Sequence, residues 1–224
     1  PETEIVSRTH DRIDRYTYAD FGDRVRRIAA ALADLGVTSG DRVGTLGWNT
    51  HRHLEAYYAV PLSGAQLHTV NLLLQDDNVE YIVNDAADDV LIVDRDAVEI
   101  LDRLWDRIEG VREVVVMDDT VPKTEADLPL SAFEDLIADT DPIASWPPLS
   151  EDDPAGMCYT SGTTGKPKGV EYTHKMLYAH AMMVMTTTAL NIAEDDVVMP
   201  VVPMFHVNSW EFPYAVTMAG AKQV

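Results

Sequence analysis

Apolar runs typical of β-strands alternate with amphipathic runs over residues 17–117. The strand-like runs begin at Arg42, Gln66, Val90 and Glu113. Runs with helical spacing cover residues 17–36, 50–62, 76–86 and 97–108. Strands that alternate with helices at this rhythm predict parallel βαβ units. We therefore expect an α/β fold.

The first helix has start and stop signals in the sequence. Thr17 with Asp20 three residues later nearly matches a capping box, and Gly36 supplies a C-terminal stop. Apolar residues follow at helical spacing between these ends, at Phe21, Val25, Ile28, Leu32 and Leu35. This spacing predicts a helix with one buried face.

The alternating pattern ends at residues 118–153, where five prolines and many acids interrupt it. A short helix near residues 131–138 is the regular element that we expect there. We interpret 118–153 as a surface connection between residues 1–117, which carry the βαβ units, and residues 154–224.

A loop rich in glycine and hydroxyl side chains follows at residues 160–168. Glycines allow close approach to a ligand, successive N–H groups form an anion site, and lysines add positive charge. The segment therefore predicts a polyphosphate-binding loop, formed by Thr160, Ser161, Gly162, Thr163, Thr164, Gly165, Lys166 and Lys168.

This loop differs from the Walker type. Apolar residues before and after it predict that it joins strand to strand, whereas a Walker loop opens a helix. Pro167 follows Gly165 and Lys166, where a Walker loop has Ser or Thr. The sequence therefore excludes a Walker NTPase.

The chain is strongly acidic, with a net charge of −21. Residues 1–153 hold 33 acids and 13 bases, whereas residues 154–224 hold 5 acids and 4 bases. The acidic surface excludes nucleic acid and anionic lipid as partners. The near-neutral last third suits a segment that receives a polyanion, and the overall acidity indicates adaptation to high salt.

After the loop, the sequence predicts a helix over residues 174–190, capped by Thr173, and a strand over 197–202. We interpret the helix's methionines as core residues, with an acyl-binding face as the alternative. They are Met176, Met182, Met183 and Met185. The single cysteine, Cys158, lies in the strand before the loop and favours a small buried residue over a nucleophile.

His206 and Trp210 lie four residues apart after the last predicted strand. Strand ends in open α/β sheets bind ligands, and an imidazole there can donate to a carboxylate. From spacing alone, a histidine bonded to a backbone carbonyl and a core tryptophan are the better interpretations. The other histidines have no metal-site spacing, so we expect no protein zinc site.

The string TSGTTGKPKG at residues 160–169 resembles the signature of adenylate-forming enzymes: acyl-CoA synthetases, luciferases and peptide-synthetase adenylation domains. The string VPMFHVNSW at 202–210 resembles the gate segment of long-chain fatty-acyl-CoA synthetases. Residues 48–49, 53–61 and 67–71 resemble that family too, although Asn71-Leu72 stands where the family usually has Asn-Pro. The resemblance covers the chain from about Tyr16 to Val224.

The resemblance implies roles for particular residues. Thr160 matches the residue whose hydroxyl reaches the metal on the phosphates, and Lys168 matches the basic position of the motif. Lys166 falls where the family varies. His206 would lie beside the substrate carboxylate, and Trp210 would close the acyl tunnel until ATP binds.

The resemblance also implies an architecture and a reaction. The fold would be the stacked βαβ layers of an adenylate-forming N-terminal domain, incomplete over residues 1–224 and without its C-terminal domain. A fatty carboxylate would attack the α-phosphate of Mg·ATP to form an acyl-adenylate, and coenzyme A would then displace AMP. We expect residues 1–224 alone to be inactive, because downstream catalytic residues are missing.

The implied partners are small molecules (fatty acid, ATP and CoA), and the resemblance allows a homodimer. Two alternatives stay open: a ligase for an aryl or short-chain acid, and a noncatalytic nucleotide-binding relative. The sequence shows no signal peptide and no run long enough for a membrane span. With one cysteine, it predicts a cytoplasmic protein.

Overall fold

A computed structural model describes residues 2–9, 12–160 and 165–224. Its strands are β1 (Glu4–Arg8), β2 (Ile13–Thr17), β3 (Arg42–Leu46), β4 (Gln66–Thr69), β5 (Val90–Val93), β6 (Glu113–Val116), β7 (Leu130–Ala132), β8 (Pro154–Thr160), β9 (Lys168–Thr173), β10 (Val197–Val198) and β11 (Lys222–Gln223). Its α-helices are α1 (Tyr18–Asp34), α2 (His51–Leu62), α3 (Asp76–Ala86), α4 (Val98–Leu104), α5 (Phe133–Ala138), α6 (His174–Val184) and α7 (Phe212–Ala219).

The strands form two sheets. The larger has the order β7-β6-β5-β3-β4-β8-β9, and the smaller has the order β10-β11-β1-β2. In the larger sheet every described pair is parallel except β8 with β9. This confirms the predicted α/β class, and helices α2, α3 and α4 join the successive parallel strands from β3 to β6.

Helices cover the larger sheet on both sides, because its strands alternate their side chains between two apolar cores. Ile92 and Val115 pack with α1, α2 and α5 in one core. Leu91, Val93 and Val114 pack with α3 and α4 in the other. The short strands are therefore apolar on both faces, as expected for a parallel sheet.

Most predicted elements are confirmed, including both ends of the first helix. The Thr17 side chain accepts a hydrogen bond from the Asp20 backbone in a full capping box. Gly36 follows the helix with φ 81°, a left-handed conformation that glycine adopts without strain.

Several element boundaries were wrong. The predicted helix at 131–138 begins with strand β7, and the helix at 97–108 contains α4 flanked by 3₁₀ turns. The predicted helix 174–190 ends at Val184. The predicted strand 197–202 stops after Val198, because Pro200 has no N–H with which to continue a ladder.

The interpretation of the α6 methionines as core residues was also wrong for three of the four. Met176, Met182 and Met183 are 55%, 46% and 56% exposed. The helix buries a narrow stripe instead, formed by Leu177, Ala181 and Val184. Cys158 is buried, as its sequence position indicated. None of the described helices is long and apolar enough to cross a membrane.

An ion-pair cluster fastens α5 to α1 and α2. Arg24 Nε lies 2.7 Å from Oε1 of Glu55, whose side chain is fully buried. Arg24 and Arg52 both contact Glu134 Oε1, at 2.9 and 2.7 Å. Burial opposes ionisation of Glu134, but hydrogen bonds from the two arginines lower its pKa to about 2. The cluster keeps buried carboxylates paired, which their burial requires.

We predict that Arg24→Ala destabilises the protein by about 3 kcal/mol, because it leaves the buried Glu55 carboxylate without its cation. Urea unfolding measures the change. The matched control is Arg103→Ala, which removes exposed pairs with Asp76 and Glu99 and should cost less than about 1 kcal/mol. Equal losses in the two variants would contradict the importance of the buried pair.

Candidate functional site

The glycine-rich loop (residues 160–168) joins β8 directly to β9, which confirms the predicted strand-to-strand connection. β8 pairs parallel to β4 and antiparallel to β9. Residues 155–158 are buried, whereas β8 becomes exposed at Thr160. Ser161, Gly162, Thr163 and Thr164 lie outside the described residues.

Thr160 and Lys168 are directly opposite each other in the β8–β9 ladder. Opposed residues of an antiparallel pair project their side chains to the same side of the sheet. Both residues are exposed. The loop therefore has a hydroxyl group on one strand and an ammonium group on the other at its base.

Lys166 has a different neighbourhood. Its Nζ lies 4.2 Å from the ring centroid of Tyr81 on α3, a cation–π contact. Lys166 and Gly165 line an open cavity of about 720 Å³ beside α3, whose wall also contains Asp77 and Asp85. In this structure, Lys166 contacts the acidic helix α3, whereas Lys168 lies opposite Thr160.

His206 and Trp210 lie at a tight turn of residues 207–211, which precedes α7. His206 is exposed, and Trp210 is 59% exposed, so neither is the core residue that spacing alone favoured. All five residues of the turn have φ between 46° and 62°. This left-handed conformation costs roughly 1–2 kcal/mol for each residue with a Cβ, so surrounding contacts must hold it.

Asn208 connects the 207–211 turn to the larger sheet. Its Oδ1 accepts a 3.2 Å hydrogen bond from the Thr69 hydroxyl at the end of β4. Thr69 in turn pairs with Cys158, two residues before Thr160. Strand residues advance about 3.3 Å each, so the turn and the base of the glycine-rich loop lie at the same edge of the sheet.

Asn49 holds the segment that leads into the turn, and sequence reasoning assigned it no role. Its Oδ1 accepts a 2.7 Å hydrogen bond from the Met204 backbone. Its Nδ2 donates to the carbonyls of Pro200 and Val202, both at 2.9 Å. The available signal was its position just after β3, at the carboxyl edge where α/β sheets bind ligands.

Two further buried side chains were missed. The Tyr57 hydroxyl donates to the Met204 carbonyl, so α2 also holds the incoming segment. Glu211 ends the turn and is 6% exposed. Burial raises the Glu211 pKa to about 8, and a hydrogen bond from Asn208 opposes this shift.

The described residues contain no group of three or more His, Cys, Asp or Glu side chains arranged to hold a metal ion. The oxygen that the loop base offers is the Thr160 hydroxyl. A single neutral hydroxyl fits a divalent cation that brings most of its ligands with it, such as phosphate oxygens and water.

We predict that Asn49→Ala loosens the segment 200–204, because three hydrogen bonds lose their side-chain partner. The expected cost is about 1–2 kcal/mol of stability and a loss of hydrogen-exchange protection at the Met204 amide. Asn84→Ala is the matched control, since Asn84 bridges the Arg107 carbonyl and the Glu109 amide elsewhere. Unchanged hydrogen exchange at the Met204 amide in Asn49→Ala would contradict the role of Asn49 in holding residues 200–204.

Known proteins resemble this chain along its whole length. The family model described as AMP-binding enzyme matches residues 1–224. The long-chain-fatty-acid–CoA ligase of Thermus thermophilus is 45% identical over 222 residues, which are 99% of this chain and 40% of that protein. The medium-chain-fatty-acid–CoA ligase of Ectopseudomonas oleovorans is 40% identical, over 99% of this chain and 41% of that protein.

A solved structure shows the same fold. The fatty acyl CoA synthetase of Mycobacterium tuberculosis superposes with a TM-score of 0.83 at 24% identity, over 100% of this chain and 41% of that one. The chain thus spans about 40% of the length of the curated relatives named above. These matches confirm the family to which the sequence resemblance pointed. The chain belongs to the AMP-binding enzyme family.

Proposed function

We propose that this chain carries the phosphate-binding loop and the acid-binding turn of a fatty acid–CoA ligase. The observation that carries the proposal is the cross-strand pairing of Thr160 with Lys168 at the loop base. This pair lies at the same sheet edge as the 207–211 turn. The activity would be ATP-dependent formation of an acyl-adenylate, followed by transfer of the acyl group to coenzyme A.

The charge distribution supports a polyanionic ligand at the loop. Residues 154–224 carry 5 acids and 4 bases within a chain of net charge −21. The Lys168 ammonium is exposed beside the Thr160 hydroxyl. Positive charge placed against a leaving pyrophosphate lowers the barrier to phosphoryl and adenylyl transfer by neutralising the charge that develops.

Mg²⁺ bound to the ATP phosphates would supply further neutralisation, and Thr160 is the described residue whose hydroxyl would hold it. The chain's own part is to hold the triphosphate in place. The amides and hydroxyls of Ser161, Gly162, Thr163, Thr164 and Gly165 would contribute donors, and Lys166 would be a peripheral member of the loop.

His206 and Trp210 would bind the acid. An exposed imidazole at the sheet edge can donate to the substrate carboxylate and orient it toward the nucleotide. An exposed indole on a strained turn can cover an apolar chain without breaking core packing. We assign His206 and Lys168 as the catalytic pair and Trp210 as the gate.

A fatty acid is the proposed substrate class because the two sequence relatives are named for long-chain and medium-chain fatty acids. The two names specify different acyl chain lengths, so they do not fix the length of the fatty acid that this protein would bind. We also propose that the protein acts in fatty acid metabolism, that it lies in the cytoplasm and that it forms a homodimer. Pyrophosphate exchange on the complete protein, with acids of graded length, tests the substrate class.

We predict that Lys168→Ala lowers the pyrophosphate-exchange rate of the complete enzyme by about 100-fold, as for loss of one preorganised charged donor. Lys166→Ala should lower it less than about threefold, because Lys166 contacts Tyr81 and not the loop base. Lys175→Ala, which removes an exposed pair with Glu151, is the control for surface charge. Equal losses for Lys168→Ala and Lys166→Ala would count against these roles.

We also propose that the protein works in concentrated salt. Charges repel over about 30 Å in 0.01 M salt but over about 3 Å at 1 M. A chain of net charge −21 therefore gains more stability from added salt than a neutral one does.

We predict that the melting temperature rises by at least about 3 °C between dilute buffer and molar KCl, equivalent to about 1 kcal/mol. Thermal unfolding across a KCl series measures this. Replacing exposed acids of the 118–153 connection by amides (Asp135→Asn, Asp139→Asn and Asp141→Asn together) should shrink the response. Equal stability in dilute buffer and molar KCl would overturn the idea.

A further inference from the structure

Glu211 is a buried carboxyl group directly after Trp210. The residue is 6% exposed, and its Oε2 has no hydrogen-bond partner among the described residues. Asn208 provides its hydrogen bond from within the same turn. A carboxylate in such a place lacks the partners that a buried charge requires.

The groups that face Glu211 are neutral at neutral pH. They come from four elements: Tyr57 and Tyr58 on α2, Cys158 on β8, Tyr172 on β9, and Tyr214 on α7. Helix α6 also packs against the turn, and its ionisable side chains are His174, Lys175, Tyr178 and His180, of which Lys175 is exposed and paired with Glu151. Burial and the hydrogen bond from Asn208 are the effects that shift the Glu211 pKa, and neither supplies a positive charge. Ionised Glu211 would therefore be a buried charge without a counterion.

The backbone around Glu211 is held under strain. Val207, Asn208, Ser209, Trp210 and Glu211 all have left-handed φ angles, which side chains with a Cβ disfavour. Such a run persists only where its surroundings hold it. Three contacts do so here: Asn208 with Thr69, the Ser209 hydroxyl with the Val202 carbonyl at 2.8 Å, and the burial of the Glu211 side chain.

We propose that Glu211 is a proton-operated latch for the 207–211 turn. With its proton, the carboxyl stays buried and holds the left-handed turn with Trp210 in its observed position. Without the proton, the carboxylate moves to water, the turn relaxes and Trp210 moves with it. The latch itself requires no substrate, but its effect on acid binding rests on the proposed gate role of Trp210.

The geometry gives the ionised side chain a short path to water. Trp210, its immediate neighbour, is 59% exposed, and Val207 at the other end of the turn is 44% exposed. The turn therefore lies at the surface, and only the Asn208, Ser209 and Glu211 side chains enter the interior. Rearrangement of five residues suffices, with β8 and α7 left in place.

The direction of the pH response follows from the burial of the group. Burial raises the Glu211 pKa from 4.5 to about 8, so the folded protein holds the proton at pH 7. Stabilisation of the turn by the neutral group is complete below pH 4.5, decreases as the pH rises, and is lost above about 8. The latch should therefore open at mildly alkaline pH.

The test follows the surroundings of Trp210 in the complete protein between pH 6 and 9.5. The Trp210 signal is obtained by subtracting the fluorescence of Trp210→Phe from that of the wild type. The subtraction cancels the contributions of Trp48, Trp105 and Trp146, which both proteins contain. We expect acrylamide quenching of Trp210 to change at least twofold with a midpoint near pH 8. A wild-type signal that stays flat over this range overturns the latch.

Glu211→Gln keeps the size of the side chain and removes the titrating proton, so its signal should stay flat. Glu194→Gln is the matched control, because Glu194 is exposed and its loss should leave the transition intact. The same transition in Glu211→Gln as in the wild type overturns the assignment. If Glu211→Gln does not fold by circular dichroism, Glu211→Asp replaces it, and an unmoved midpoint in that variant overturns the latch.

The pH dependence of the KM for the fatty acid tests the gate role of Trp210 independently of the latch. If Trp210 is the gate, the KM should change across the same pH range in the wild type and stay constant in Glu211→Gln. A fluorescence transition with a constant KM would support the latch and overturn the gate role of Trp210. A flat fluorescence signal in a protein with full ligase activity would overturn the latch and leave the proposed ligase function standing.

Discussion

The parallel pairing of β8 with β4 is the contact on which the arrangement of the site depends. Strand β8 returns to the sheet after the proline-rich connection, and the register Thr69 opposite Cys158 sets where the glycine-rich loop begins. Thr69 also bonds Asn208, so the same strand end positions the 207–211 turn. A slip of one residue in this register would turn Cys158 outward and send Thr160 and Lys168 to the opposite side of the sheet.

Much of the fold could be predicted because its signals are local. Helix α3 and strand β5 have the predicted bounds, since a few residues of regular spacing and clear turn signals define each one. Strand β7 was missed because three residues carry no measurable period. The exposure of Met176, Met182 and Met183 was missed because hydrophobicity says which residues prefer burial, whereas the neighbouring elements decide which of them are covered.

The site was predictable where a short motif carries it and hidden where distant contacts create it. Thr160 and Lys168 stand out from sequence because glycine and hydroxyl residues surround them. Asn49 acts on Met204, and Thr69 on Asn208, across well over one hundred positions, so no local pattern shows either contact. Glu211 resembles any surface acid in the sequence, and only the folded structure shows that its side chain is buried.

The small sheet has a consequence for how the protein forms during synthesis. Strand β1 pairs with β11 through Ile5 and Gln223, which come from opposite ends of the described chain. At roughly 5–20 residues per second, a ribosome takes tens of seconds to make the stretch between them. Until then, β1 and β2 can form only a two-stranded hairpin with both edges open, which is marginal in water. The unpaired edge of β1 must therefore remain free of pairing with strands of other chains until β11 emerges from the ribosomal exit tunnel.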